Sequence, residues 1–210
     1  LYKDAAEVVR RNRGVQEVYE PGSTFKIVTA SAALEEKVFT PDEPIDVSAG
    51  LIRLQSRVIK DVHTYGPLSF TDVIVKSSNV GAVKVGARLG PEKLGRYVRR
   101  FGFGARICPD LPGETAGLLS APSAWTASSL ASISMGYEIG VTPIQMAAAF
   151  SSVANGGLLI QPRAVQALRT ASGRRAVEPM ELRRTIDAAT VAEMTAIMEQ
   201  VVARGTGKAA

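Results

Sequence analysis

Apolar residues recur at helical spacing in several stretches of the chain, and glycines and prolines separate these stretches. Runs with a period near 3.6 predict helices, whereas short β-branched runs predict strands. The predicted helices cover residues 23–36, 69–76, 80–89, 91–101 and 143–155, with a last helix after Asp187. Strands are predicted at 45–47, at 57–62, and as two short strands within 158–179 that turn at Ser172-Gly173. The chain is therefore predicted to be rich in helix.

Capping signals mark the beginnings of two of these helices. Thr142-Pro143-Ile144-Gln145 combines a capping box with a proline in the first turn. Asp187 is the predicted N-cap of the last helix. One face of that helix carries a stripe of four apolar side chains, which we interpret as part of the core: Val191, Met194, Met198 and Val201.

Composition and charge argue against some classes of protein. The 210 residues are 46% hydrophobic and 21% charged, which is typical of a globular domain. The net charge is +5, and the arginine clusters at 10–13 and 174–184 are interpreted as solvated surface, with an anionic membrane or polymer as the alternative. Because no zinc-finger spacing or basic leucine-zipper pattern accompanies the charge, we expect no nucleic-acid partner. No apolar run approaches the ~20 residues of a membrane span.

Cysteine and histidine are each present once. Cys108 has no partner for an internal disulfide, and His63 has no nearby residues at metal-ligand spacing. We therefore expect no metal and no cofactor, a bystander thiol at Cys108, and a structural or surface role for His63. The first residue is Leu1 rather than methionine, so we expect the chain to be a fragment of a longer protein, with any membrane anchor outside it.

Candidate chemistry begins at Ser23 and Lys26, at the start of the first predicted helix. Pro21 and Gly22 break the chain just before them, and a spacing of three places both side chains on one face of the first turn. A hydroxyl beside an amine can act as a nucleophile beside its base. The pattern alone is weak, because 16 Ser and 8 Lys in 210 residues give about 0.6 matches by chance. An ordinary helix start with a surface lysine is the alternative.

A second polar group, Ser77-Ser78-Asn79, lies at the break between two predicted helices. At such a break a hydroxyl and an amide can leave the backbone and converge on a cleft. By itself this S-x-N pattern is most often a helix cap. Its spacing from Ser23 and Lys26, together with the neighbours of both groups, favours a shared site.

Several segments resemble the class B penicillin-binding proteins, the D,D-transpeptidases of bacterial cell-wall synthesis. The stretch Glu20-Pro21-Gly22-Ser23-Thr24-Phe25-Lys26 resembles their active-site serine segment, and Ser77-Ser78-Asn79-Val80-Gly81 resembles their second motif. Residues 136–147 are similar to the long segment before their last active-site strand. The stretches 155–157 and 205–210 follow in the family order, so the resemblance covers essentially the whole chain. The family's third motif, Lys-(Ser/Thr)-Gly, does not occur in this sequence.

The resemblance implies an α+β fold of the β-lactamase/transpeptidase type, with residues 1–210 as one partial catalytic domain truncated at both ends. Because the family's sheet uses strands outside this sequence, we expect a mostly helical structure with short loop and hairpin strands and a largely missing central sheet. In the family mechanism Ser23 is the nucleophile and Lys26 the general base. Ser77 relays a proton to the leaving amine, and Asn79 binds the substrate or holds Lys26 in place.

The resemblance also implies partners and a location. The parent protein is expected to cross-link stem peptides that end in D-Ala-D-Ala, to be acylated by β-lactams, and to work with membrane-bound cell-wall synthesis partners. Its catalytic domain is expected on the periplasmic or extracellular side of the cell inner membrane. The 210 residues alone are expected to be inactive or nearly so, because one wall of the cleft is missing. The alternatives are a class D β-lactamase, a penicillin sensor, or a non-catalytic scaffold for cell-wall assembly.

Overall fold

A computed structural model describes residues 4, 6–54 and 57–209 of the chain. The α-helices are α1 (Glu7–Arg10), α2 (Arg13–Gln16), α3 (Lys26–Glu35), α4 (Phe70–Val75), α5 (Asn79–Leu89), α6 (Pro91–Arg100), α7 (Ala127–Ser134), α8 (Pro143–Ala154) and α9 (Ala188–Arg204). Two 3₁₀ helices cover Gly22–Phe25 and Pro122–Ala124. The prediction of a helix-rich chain is confirmed.

The strands are short and pair only two at a time. They are β1 (Pro44–Ile45), β2 (Leu51–Leu54), β3 (Arg57–Lys60), β4 (Leu68–Ser69), β5 (Leu158–Ile160), β6 (Ala167–Thr170), β7 (Gly173–Ala176) and β8 (Glu181–Arg184). The antiparallel pairs are β1 with β4, β2 with β3, β5 with β8, and β6 with β7. No sheet of three or more strands occurs in the described part of the chain. The helices and hairpins together agree with the expected α+β fold without a central sheet.

Helix α3 lies at the centre of the core. All of its residues from 26 to 34 are buried, because its surface is formed almost entirely by apolar and small side chains, as in a helix that is covered on all sides. It contacts α5, α6 and α9. Just before it, the Phe25 ring packs against Phe103 with centroids 5.2 Å apart. The helix that carries the predicted catalytic lysine is therefore held firmly by its neighbours.

The two predicted helix caps have different outcomes. At α8 the capping box is confirmed, because the Thr142 N–H donates to the Gln145 side chain and the Gln145 N–H donates to the Thr142 hydroxyl. Asp187 does occupy the N-cap position of α9, but its side chain makes no capping hydrogen bond. Its backbone N–H donates instead to both carboxylate oxygens of Glu35, at 3.0 Å each. The partner comes from the end of α3, which local sequence cannot reveal.

Two other predictions need correction. Residues 158–179 are predicted to form two strands, but this range contains β5, β6 and β7, and β5 pairs with β8 beyond it. Only the β6–β7 hairpin matches the prediction, and its turn lies at residues 171–172. Helix α7 is absent from the predicted elements, because its Ala- and Ser-rich sequence carries little apolar periodicity.

Candidate active site

Ser23 lies in the 3₁₀ helix Gly22–Phe25, which runs directly into α3 at Lys26. Gly22 opens this turn with a φ of +56°, a left-handed conformation that glycine adopts readily. Side chains three residues apart eclipse each other in a 3₁₀ helix. Ser23 and Lys26 therefore project from the same face, as their spacing predicts.

The side-chain nitrogen of Lys26 is held by three acceptors from the turn between α4 and α5. Nζ donates to the Ser77 carbonyl oxygen at 2.7 Å, to Ser77 Oγ at 3.0 Å and to Asn79 Oδ1 at 2.9 Å. Because Lys26 is only 2% exposed, these hydrogen bonds replace the water that the group loses on burial. Lys26 is thus hydrogen-bonded directly to two of the other three predicted site residues, Ser77 and Asn79.

Burial also changes the basicity of Lys26. It lowers the pKa of the amine from its ordinary value of 10.5 to about 8, and the negative charge of Asp61 opposes this shift. With a pKa near 8, about a tenth of the side chains are neutral at pH 7, whereas an unperturbed lysine is less than about a thousandth neutral. Only the neutral amine can accept a proton, so the site makes Lys26 a far better base.

Ser77 has an unusual backbone conformation. Its φ is +54°, in the left-handed region that is costly for residues other than glycine. The N–H groups of Ser77 and Ser78 donate to the carbonyls of Ile74 and Val73, which closes the end of α4. This turn directs both the carbonyl and the hydroxyl of Ser77 at Lys26. Backbone strain of this kind is concentrated at functional sites.

Helix α5 begins at the same turn and is capped by two side chains. Ser78 Oγ accepts the Gly81 N–H at 2.8 Å and donates to Asp61 Oδ2 at 2.8 Å. Asp61 Oδ1 in turn accepts the N–H groups of Asn79 at 2.5 Å and Val80 at 3.0 Å. The sequence does not identify Asp61 as a site residue, because it is a lone acidic residue within the strand predicted at 57–62, which in the structure ends at Lys60.

Two adjoining cavities meet at these residues. Ser23, Lys26 and Ser77 line a cavity of about 170 Å³, together with Met198 and Val201 of α9. Ser23 and Ser77 also line a second cavity of about 420 Å³, whose wall includes Asn79 and Asp61. All four predicted site residues therefore border one cleft. Met198 and Val201 pack against the core as interpreted from the sequence, but they also form a wall of this cleft.

The loop at residues 136–138 supports the Ser23 turn from behind. The Gly22 N–H donates to the Gly136 carbonyl at 2.9 Å, and the Glu138 N–H donates to the Glu20 carboxylate at 2.9 Å. The Glu138 carboxylate accepts a hydrogen bond from Ser132 Oγ at 2.8 Å. The first two contacts fix Glu20 and Gly22, and hence the position of the adjoining Ser23.

The single cysteine and histidine take no part in the Lys26 hydrogen bonds. Cys108 is buried, and burial together with the nearby Glu114 charge raises the pKa of its thiol. His63 is exposed and lines the second cavity. Within residues 4, 6–54 and 57–209, no group of three or more His, Cys, Asp or Glu is arranged to hold a metal ion. None of the described helices is long and apolar enough to cross a membrane.

Sequence comparison relates the chain to one family of known proteins. The family model of the penicillin-binding protein transpeptidase domain matches residues 2–210. The chain is 40% identical over 157 residues to penicillin-binding protein PbpB of Mycolicibacterium smegmatis, covering 74% of this chain and 24% of that protein. It is 35% identical over 211 residues to stage V sporulation protein D of Bacillus subtilis, covering 96% of this chain and 32% of that protein.

The fold comparison gives the same result. Penicillin-binding protein 3 of Mycobacterium tuberculosis, solved in complex with ampicillin, matches with a TM-score of 0.86 at 32% identity, covering 97% of this chain and 48% of that one. The chain thus spans about a quarter to a half of the length of these relatives. It belongs to the class B penicillin-binding proteins, and residues 2–210 match their transpeptidase domain.

Proposed function

We propose that the protein carrying this chain is a D,D-transpeptidase that cross-links peptidoglycan stem peptides through an ester on Ser23. The observation that carries the proposal is the set of hydrogen bonds from Lys26 to Ser77 and Asn79 beside the cavity that Ser23 lines. A relative from Pseudomonas aeruginosa, 33% identical over 179 residues, is named a probable peptidoglycan D,D-transpeptidase, which supports the same reaction. The ampicillin complex of the M. tuberculosis relative supports acylation of Ser23 by β-lactams.

In the acylation step, Ser23 Oγ attacks the carbonyl carbon of the D-Ala-D-Ala bond while the neutral Lys26 amine accepts the hydroxyl proton. The lowered pKa of Lys26 supports this role. The proton then passes through Ser77 Oγ, which is 3.0 Å from Nζ, to the nitrogen of the leaving D-Ala. The peptide bond breaks, D-alanine departs with a neutral amine, and the shortened stem peptide remains as an ester of Ser23.

In the second step, the amine of another stem peptide attacks the ester carbonyl. Its proton returns to Ser23 Oγ by way of the same lysine and serine, a new peptide bond forms, and the hydroxyl is restored. A β-lactam acylates Ser23 by the same first step, but its leaving nitrogen stays tethered in the opened ring. The adduct is therefore expected to be long-lived.

Asn79 has a double role in this scheme. Its Oδ1 accepts from Lys26 at 2.9 Å, while its Nδ2 donates to the Lys60 carbonyl at 3.0 Å. These contacts support a role in holding Lys26. An amide nitrogen carries two hydrogens, so one remains for a substrate carbonyl, and we assign Asn79 to substrate binding through that hydrogen.

We further propose that residues 1–210 form part of a single catalytic domain on the outer side of the cytoplasmic membrane. Stem peptides and β-lactams are its ligands there, and membrane-bound proteins of cell-wall synthesis are its partners. The match of one transpeptidase model to residues 2–210 supports the single domain. Because the sequence contains no Lys-(Ser/Thr)-Gly strand to complete the cleft, the 210 residues alone are expected to acylate weakly or not at all.

The test is covalent labelling of the full-length protein with a fluorescent penicillin, together with release of D-alanine from a stem pentapeptide. Ser23→Ala should abolish both signals. The matched control is Ser123→Ala, which removes the hydroxyl of an exposed serine in the other 3₁₀ helix and should change neither.

Other outcomes would favour the alternatives. Rapid hydrolysis of penicillin would indicate a β-lactamase, and slow labelling without D-alanine release would indicate a sensor. An unlabelled wild-type protein that still binds cell-wall synthesis proteins would indicate a scaffold. Strong Ser23-dependent labelling of the isolated 210 residues would contradict only the expectation that they need the rest of the protein.

A further inference from the structure

Asp61 lies at the centre of the contacts that hold the turn between α4 and α5. It follows β3 by one residue and is partly buried in the wall of the second cavity. Its carboxylate contacts three consecutive residues of the turn, Ser78, Asn79 and Val80. None of the catalytic steps described above uses this group.

We propose that Asp61 is a positioning residue of the active site, whose carboxylate fixes the Ser77–Asn79 turn against Lys26 and places a negative charge in the cavity wall beside that turn. The proposal rests on the proposed function, in which Lys26 accepts the proton of Ser23. It concerns two separable properties of Asp61, its hydrogen bonds and its negative charge.

The hydrogen bonds connect Asp61 to the catalytic base, Lys26, through a single intervening residue, Asn79. Asp61 Oδ1 accepts the backbone N–H of Asn79 at 2.5 Å, and the side chain of the same Asn79 accepts from Lys26 Nζ at 2.9 Å. Asp61 Oδ2 accepts the hydroxyl of Ser78, the residue directly after Ser77. Movement of this carboxylate would therefore shift both side-chain groups that Lys26 contacts.

The Asp61 carboxylate lies at the N-terminus of α5, where it can hold the turn. The first N–H groups of an α-helix have no partner within the helix, and a carboxylate near a helix N-terminus is stabilised by the helix dipole. Asp61 satisfies the N–H groups of Asn79 and Val80 at the start of α5. Because Ser77 has a left-handed φ of +54°, the turn needs such external contacts to keep its strained conformation.

The charge of Asp61 acts on Lys26 across the same turn. Other charged or titratable side chains that line the second cavity are His63, Tyr65, Lys76 and Arg204. Lys76 lies over the Tyr65 ring at 5.3 Å, and Arg204 pairs with Asp72 at 2.7 Å. Among the described residues, Asp61 is the one whose charge raises the pKa of Lys26, against the larger effect of burial. The two effects together leave the pKa of Lys26 at about 8.

The two properties can be tested separately by measuring the acylation rate of the full-length protein with a fluorescent penicillin from pH 6 to pH 10. Asp61→Asn removes the charge but keeps an oxygen that can accept from Asn79. Ser78→Ala removes the hydrogen bond to Asp61, together with the one from the Gly81 N–H, but keeps the charge of Asp61. Asp46→Asn is the matched control, because Asp46 is an exposed aspartate that accepts a local backbone N–H from Ser48 outside the cleft. Each variant is also made with His63→Gln, so that the wall of the second cavity carries no imidazole.

Asp61→Asn should move the rising limb of the pH–rate profile to lower pH, because removing the negative charge makes the Lys26 ammonium easier to deprotonate. Its maximum rate should fall about 10- to 100-fold, since small displacements of catalytic groups cost this much. Ser78→Ala should lower the maximum rate without moving the limb. Asp46→Asn should match the wild type in both respects.

The outcomes separate this inference from the function on which it rests. A wild-type protein that is labelled through Ser23, with an Asp61→Asn profile equal to wild type, would overturn the role of Asp61 alone. A uniform loss of rate without a shift of the limb would overturn the electrostatic part. If both Asp61→Asn and Asp61→Ala failed to fold by circular dichroism, Asp61 would be a residue of the fold and the proposal would be wrong. Absence of Ser23-dependent labelling in the wild type would overturn the proposed function and this inference with it.

Discussion

Gly136 lies so close to Gly22 that a β-carbon added to Gly136 would be 2.0 Å from the Gly22 carbonyl oxygen. The Gly22 N–H donates to the Gly136 carbonyl at 2.9 Å. The two backbones therefore touch directly behind the turn that carries Ser23. Gly136 also has a φ of +88°, so both the contact and the backbone conformation require glycine here.

We predict that Gly136→Ala displaces the Ser23 turn and lowers penicillin acylation of the full-length protein by about 10²-fold, because misplacing a nucleophile by about 1 Å has such an effect. The control is Gly156→Ala. Gly156 also has a left-handed φ, +84°, but no atom lies within 4 Å of its added β-carbon. Gly156→Ala should lose about 1 kcal/mol of unfolding free energy from backbone strain alone, and Gly136→Ala should lose more, because its β-carbon also meets the Gly22 carbonyl. Equal acylation by the two variants would show that the contact with Gly22 does not position Ser23.

Ser77 provides a second test, in which stability and activity are expected to respond differently. Ser77→Gly relieves the left-handed strain but makes the unfolded chain more flexible, so the unfolding free energy should stay within about 1 kcal/mol of wild type. Acylation should fall about 10²- to 10⁴-fold, since the proposed proton relay through Oγ would be lost. Denaturant titration and penicillin labelling measure the two quantities. If Ser77→Gly were acylated at the wild-type rate, the Ser77 hydroxyl would have no part in the mechanism. Ser77→Ala should show the same loss of rate as Ser77→Gly, although it keeps the backbone strain.

The sequence predicts the elements that carry strong local signals. The helix from residue 23, the capping box at Thr142 and the polar turn at Ser77 all depend on residues within a few positions of one another. The family resemblance predicts that Ser23, Lys26, Ser77 and Asn79 converge on one cleft, whereas spacing alone cannot bring residue 26 to residue 79. In the structure, the hydrogen bonds from Lys26 hold Ser77 and Asn79 at this cleft.

The features that sequence reasoning missed depend on contacts between distant parts of the chain. Asp61 meets Asn79, Glu35 meets Asp187, and β5 pairs with β8 rather than with a neighbouring strand. In each case the local residues also suit a simpler arrangement. An isolated aspartate predicts a surface position, an Asp before a helix predicts that its side chain caps that helix, and two nearby strands predict a hairpin. Only the packed fold distinguishes these arrangements.

The cap of α9 allows one of these corrections to be tested. Glu35→Ala should lower the unfolding free energy by about 1 kcal/mol, because it removes the acceptor of the Asp187 N–H. Asp187→Ala should have a smaller effect, since the Asp187 side chain makes no capping hydrogen bond. Denaturant titration of the two variants compares them directly. A larger loss for Asp187→Ala would restore the capping role that the sequence predicts for its side chain.

The pKa of Lys26 leads to a prediction about stability as well as rate. Its folded-state pKa of about 8 lies below the ordinary value of 10.5 that we expect in the unfolded chain. Between these values the unfolded state binds more protons, so the unfolding free energy should rise with pH across this window. Below about pH 8 the amine is charged in both states, and its burial costs roughly 3 kcal/mol of stability.

The measurement is denaturant titration of the wild type and of Lys26→Met from pH 7 to pH 10.5. Other groups titrate in this range, so the relevant quantity is the unfolding free energy of the wild type minus that of the variant. This difference should increase with pH, because methionine has no proton to lose, and the acylation rate of the wild type should rise with a midpoint near pH 8. A difference that stays constant with pH would mean that the fold does not lower the pKa of Lys26, and the amine would then be too rarely neutral at pH 7 to serve as the base for Ser23.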